Sequence, residues 1–144
     1  MDETAAFIAI AASALFAGGA LYVSLVEQPG RMEAGVRIAL AEFGPSYRRA
    51  APWQGGNALV ALAAGIAAAA VRAELLWAIG GIATGLVVPW TLVVMMPLNH
   101  RLLEPHDLDE ERGEALLRRW ARLHWIRSLL GGAGLVTTLV ALLA

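Results

Sequence analysis

The sequence predicts an all-α fold: four transmembrane helices in an up-down bundle, with a short interfacial amphipathic helix between the first two spans. Three observations carry this. Of the 144 residues, 58% are hydrophobic and the mean hydropathy is +0.62, too apolar for an ordinary soluble domain of this size. The apolar residues gather into four stretches, and about 20 such residues cross the roughly 30 Å hydrocarbon layer as a helix. The few strongly polar residues sit at matching ends of those stretches, which an up-down path brings to one face of the bilayer. The chain reads as one integral membrane domain, residues 1–144, with spans at about 5–26, 53–71, 75–98 and 121–143.

The first span, Ala5 to Val26, follows an acidic leader, Met1-Asp2-Glu3-Thr4. It is too long for a signal-peptide core and is expected to be retained. Pro29-Gly30 is expected to stop this helix. Met32, Val36, Leu40 and Phe43 then recur at helical spacing against Glu33, Arg37 and Glu42, which predicts the interfacial helix, ended by Gly44-Pro45. It would be a lid over the polar end or, more simply, a connector.

The second span is the weakest. Ala58 to Val71 is clean, and full length requires Trp53, Gln54 and Asn57 in the span or at its rim. The turn Arg72-Ala73-Glu74 makes the second and third spans antiparallel neighbours. In the third, Leu75 to Leu98, Pro89 and Pro97 each remove a backbone donor; a kink is expected at Pro89, and Pro97 is expected to end the span. Asp107 and Glu110 have capping-box spacing, and a long helix should run from there into the fourth span. The glycines, notably Gly18-Gly19, Gly80-Gly81, Gly85 and Gly131-Gly132 with Gly134, are expected to let helices approach closely.

Arginine supplies all eleven basic residues, and nearly all of them fall in the first and third loops. That asymmetry places both termini outside an inner, cytoplasmic membrane and the polar ends on the cytoplasmic side. The net charge of −1 gives no basic field for nucleic acid. With no cysteine there is no disulfide, thiolate nucleophile or cysteine-ligated metal.

Trp120, His124 and Arg127 lie at i, i+4 and i+7 and share one helix face. A charge at Arg127, three residues into an apolar run, must snorkel outward or find a partner; Glu27 is the nearest candidate, with Arg31 competing for Glu27 from one turn away. The simplest reading is that these groups tie helix ends together.

The segments Val26-Glu27-Gln28-Pro29-Gly30-Arg31, Pro45-Ser46-Tyr47-Arg48-Arg49-Ala50 with Gln54, Val88-Pro89-Trp90-Thr91-Leu92 running to Met96-Pro97-Leu98-Asn99, and Leu116-Leu117, Trp120, Leu123-His124 and Arg127-Ser128 together resemble the anthrone oxygenase-like family of small four-helix membrane proteins. The match is specific to its bacterial branch and weaker to its fungal enzymes. The resemblance implies oxidation of an anthrone-type polycyclic phenol or quinone-like molecule with molecular oxygen and no obvious organic cofactor. One position departs: many relatives carry histidine where this chain has Gln28.

On that reading His124 is the general base, Arg127 and Asn99 stabilise a developing oxyanion, and Glu27 orients Arg127 or His124. Trp53, Trp90 and Trp120 would stack on a flat ligand, with Gln54 and Tyr47 as further ligand contacts. No cofactor is assigned, with a non-haem metal or a haem left open; Glu27, His100 and His124 would form the one two-histidine, one-carboxylate set. The expected partners are membrane lipid, a hydrophobic small molecule and further copies of the chain, with no nucleic acid. The competing function class is a non-catalytic membrane protein that binds a lipid or small hydrophobic ligand or scaffolds a partner. A pocket of roughly 300 Å³ or more reaching His124 would separate the two.

Overall fold

A computed structural model describes residues 2–144. Four long helices account for nearly all of them: α1 (Glu3–Glu33), α2 (Val36–Arg72), α3 (Leu75–Leu103) and α4 (Glu110–Leu143). Each packs on its neighbours in the chain and α1 closes the ring against α4, an up-down bundle. Large apolar side chains such as Phe7, Leu15, Leu59, Ile66, Ile79, Val93, Leu129 and Val136 are exposed on its outer surface, where lipid would solvate them. All four helices are long and apolar enough to cross a bilayer, and the protein is an integral membrane protein.

At 29 to 37 residues the helices exceed a span's need, and the excess lies at one end. At the far end the α2–α3 connection is just Ala73 and Glu74, with Ala73 in the left-handed region (φ 55°). At the polar end the helices continue past their apolar stretches and enclose a core of their own, built from Val23, Ala39, Phe43, Met95, Leu98, Leu102, Leu116, Leu117 and Trp120.

This extension corrects the expected interfacial helix. The stripe predicted to lie flat on the membrane is split by the turn at Ala34-Gly35; Val36 onward is the start of α2, with Ala39 and Phe43 fully buried against α3 and α4. The turn requires Gly35, whose φ of 105° other residues rarely adopt. The chain therefore breaks there rather than at Pro29-Gly30 or Gly44-Pro45. Pro45 and Pro52 both lie inside α2, because an apolar stripe that finds a protein partner outweighs the ladder bonds the prolines remove.

Proline acts differently in α1 and α3. Each contains a π turn, Val23–Glu27 in α1 and Thr91–Met95 in α3, and each turn ends two residues before a proline, Pro29 or Pro97. The wider i→i+5 turn absorbs the missing donor, so α3 passes through Pro97 to Leu103 instead of ending there. The break expected near Pro89 appears at Leu86, between the helical segments Leu75–Gly85 and Val87–Trp90.

Two further details differ from expectation. Asp109, not Asp107, caps α4 by accepting a bond from the Arg112 N–H (2.8 Å), while Asp107 belongs to a 3-10 turn, Pro105–Asp107. The glycines also divide. A Cβ on Gly81 would sit 2.9 Å from Ala61 O, and one on Gly80 2.9 Å from Gly134 O, so these positions set the α2–α3 and α3–α4 approach. A Cβ on Gly18 or Gly132 would meet nothing within 4 Å.

Candidate functional site

The polar residues of all four helices meet at the extended end. On α4 the shared face holds: Trp120, His124 and Arg127 are all buried, as is Ser128. On α1 the π turn carries Ser24 and Glu27, followed by Gln28 and Arg31 one turn on, and Ser24, Gln28 and Arg31 are buried. From α2 come Phe43, Ser46, Tyr47 and Gln54, and from α3 Asn99.

The charges do not pair as the sequence suggested. Glu27 makes its ion pair with Arg31 and accepts a bond from Ser46 Oγ at 2.6 Å; Arg31 also meets Glu42 at 2.7 Å and donates to Gln28 Oε1 at 3.3 Å. The local competitor therefore takes Glu27, as the i, i+4 spacing on one helix favours. Arg127 instead donates through Nη2 to the amide oxygen of Gln54 at 2.8 Å and lies over the Phe16 ring at 5.7 Å. Its Nε has no partner among the described residues, and no carboxylate is paired with it. A guanidinium 8% exposed with neutral partners is an uncompensated buried charge, a costly arrangement unless something else supplies the anion.

His124 is fixed on both sides. Its ring stacks on Trp120 (centroids 4.7 Å, planes 26° apart), and Trp120 meets Phe43 edge-on at 5.3 Å. Its Nδ1 lies 3.0 Å from Ser24 Oγ, which lies 2.9 Å from Ser128 Oγ. Ser128 Oγ in turn is 3.0 Å from Ala20 O. Asn99 does not reach His124: its Oδ1 accepts from Trp120 Nε1 (2.9 Å) and its Nδ2 donates to Tyr47 Oη (3.1 Å), so it locks the aromatic wall from behind.

These groups surround a slot lined by Glu27, Arg31, Tyr47, Gln54, His124 and Arg127, with Val23, Phe43, Ala50, Ala51 and Trp120 as apolar walls. Water centres can occupy about 30 Å³ of it, room for roughly two waters. It falls between the two cases the sequence distinguished, since the helix ends leave a void at His124 but one well short of a three-ring molecule.

The other expected contacts lie elsewhere. Trp53 is 58% exposed beside Tyr22, Glu42 and Arg49 on the outer surface. Trp90 is half-buried and donates from Nε1 to Leu123 O at 3.3 Å. His100 is exposed, lining an outer hollow with Arg101, Glu104 and Asp107, so Glu27, His100 and His124 are not brought together. Among the described residues no group of three histidine, aspartate or glutamate side chains could hold a metal ion.

Sequence reasoning missed Ser24, Ser46 and Glu42 and gave Gln28 no contact. A usable signal existed: Ser24, Gln28 and Arg31 repeat on α1 the i, i+4, i+7 spacing of Trp120, His124 and Arg127 on α4. Ser24 is overlooked because a single hydroxyl inside an apolar run reads as neutral.

The sequence model of one family, anthrone oxygenase, matches residues 43–137, about two thirds of the chain. The match takes in Tyr47, Gln54, Asn99, Trp120, His124, Arg127 and Ser128 and leaves out the α1 residues of the site. No curated protein and no solved structure matches the chain.

Proposed function

This chain belongs to the anthrone oxygenase family, and from that premise we propose that it oxidises a hydrophobic polycyclic phenol with molecular oxygen at the His124–Arg127 slot. The observation that supports this most directly is the buried Arg127 guanidinium, with no carboxylate paired to it among the described residues, beside an imidazole and an aromatic wall in one cavity. A base next to a fixed cation is what deprotonation to an enolate or phenolate requires. His124 removes a proton from the ring methylene, and Arg127 holds the resulting oxyanion. The carbanion carbon adds oxygen, and the hydroperoxide loses water. The two methylene hydrogens leave in that water with one oxygen atom, and the other oxygen remains as the new carbonyl.

Asn99 acts through Trp120 and Tyr47 as a positioning residue, and Glu27 acts at the rim through Arg31 and Ser46. Trp120 supplies the stacking face. A three-ring substrate needs the slot to widen, and the wall formed by α2 is the one flanked by Pro45 and Pro52, where the helical ladder lacks bonds. The arginine-rich first and third loops support an orientation with this end in the cytoplasm and both termini outside the inner membrane.

The small slot favours the second reading, a non-catalytic protein whose polar end binds the acidic edge of a lipid-soluble ligand. Turnover separates them. Purified protein in micelles, given 1,8-dihydroxyanthrone, is expected to take up oxygen and form the quinone faster than the buffer control. His124→Ala is expected to abolish the excess rate and Arg127→Met to reduce it at least about a hundredfold. No excess rate in the native protein would overturn the oxygenase reading, and an excess unaffected by both substitutions would overturn the site.

A further inference from the structure

We infer that Ser24 and Ser128 are positioning residues that hold His124 in the Nδ1–H tautomer, leaving Nε2 as the basic nitrogen. The argument is an accounting of protons along three short contacts: His124 Nδ1 to Ser24 Oγ (3.0 Å), Ser24 Oγ to Ser128 Oγ (2.9 Å), and Ser128 Oγ to Ala20 O (3.0 Å). The chain ends on a backbone carbonyl, which only accepts. The other backbone contact of Ser128, His124 O at 3.5 Å, is also a carbonyl. The single proton of Ser128 therefore goes to the backbone, Ser128 accepts from Ser24, and Ser24 accepts from His124. Any other ordering leaves two oxygens about 3 Å apart with no proton between them, in a place where Ser24, His124 and Ser128 are all buried.

The consequence is directional. Nε2 makes no hydrogen bond among the described residues, and the ring that carries it lines the slot beside Arg127. The second nitrogen of a histidine takes its state from the partner of the first. Here that partner is a hydroxyl relay from a π turn of α1, which sets Ser24 against α4. The tautomer follows from the packing of α1 on α4 alone; its use as the base of an oxidation rests on the proposed function.

Nitrogen-15 labelling of the three histidines, with His124 identified by its loss in His124→Gln, tests this without any assay of activity. A protonated-type signal at Nδ1 and an unprotonated-type signal at Nε2 are expected in the native protein at neutral pH. The reverse pattern would overturn the inference whatever any variant does. In Ser128→Ala the freed Ser24 hydroxyl can donate to Nδ1, so a shift toward the Nε2–H form is expected, with Ser128→Thr restoring the native pattern. An Nδ1–H spectrum unmoved in a folded Ser128→Ala protein would remove the relay from the explanation and overturn it too. If the protein turns over an anthrone, Ser128→Ala is expected to lower kcat about tenfold or more with KM little changed. The expected tautomer without turnover would sink the oxygenase reading and keep this one; turnover with an Nε2–H native spectrum would do the opposite.

Discussion

The two ends of the bundle are built by opposite rules. At the far end small residues let backbones touch: Ala6, Ala9, Ala64, Ala68 and Ala141 close around Trp77, and the Gly81–Ala61 and Gly80–Gly134 contacts leave no room for a methyl group. At the polar end large side chains fill the space between the helices, with Phe43, Tyr47, Trp120, His124, Arg31 and Arg127 joined by stacks and hydrogen bonds. Lipid gives helices no hydrophobic reason to associate, so close packing has to supply the association. On this packing the far end serves as the clamp. The polar end is free to keep a void and an unbalanced charge because its stability does not depend on filling either.

That division can be broken at its strongest point first. Gly81→Leu, which drives a side chain into the α2 backbone at Ala61 and Gly65, is expected to cost about 3 kcal/mol or more, read as the midpoint of chemical unfolding in micelles. A native midpoint would show that the far end is not the clamp. Gln54→Leu removes the hydrogen-bond acceptor that Gln54 offers a buried guanidinium, with an expected loss of about 2 kcal/mol. Adding Arg127→Met to Gln54→Leu should recover most of it, since a buried charge replaced by an apolar group of like volume is close to neutral. A double variant as unstable as Gln54→Leu would mean that Arg127 itself holds the helices together.

Asn99→Leu frees the Trp120 and Tyr47 groups it bridges, and about 1–2 kcal/mol is the expected cost, together with altered tryptophan emission. Trp53→Ala should change stability by less than about 0.5 kcal/mol and leave any turnover intact, because its ring is exposed outside the slot. A large loss of activity there would move the ligand to the outer surface and reverse the contrast between the two ends.

Length and polarity alone made much of this legible. Four apolar stretches with polar residues at matching ends force an up-down bundle and a shared polar layer, and helical spacing puts Trp120, His124 and Arg127 on one face. What could not be read was how each polar group chooses among partners on four helices. Glu27 took Arg31, the competitor one turn away on its own helix, and left Arg127 to Gln54 on α2, a partner that no spacing along the chain identifies. The prolines misled for a related reason, since Pro29, Pro45 and Pro97 read locally as stops.

Four apolar stretches with polar residues at matching ends are enough to dictate a four-helix membrane protein with its polar groups gathered at one end, because hydrocarbon admits few other solutions for such a chain. Packing of the four helices on one another makes the expected interfacial helix part of α2, carries two helices past their prolines through π turns, and brings a serine pair to His124. The serine contacts to His124 join side chains about a hundred residues apart along the chain, and local propensity cannot weigh a contact whose other half lies on another helix.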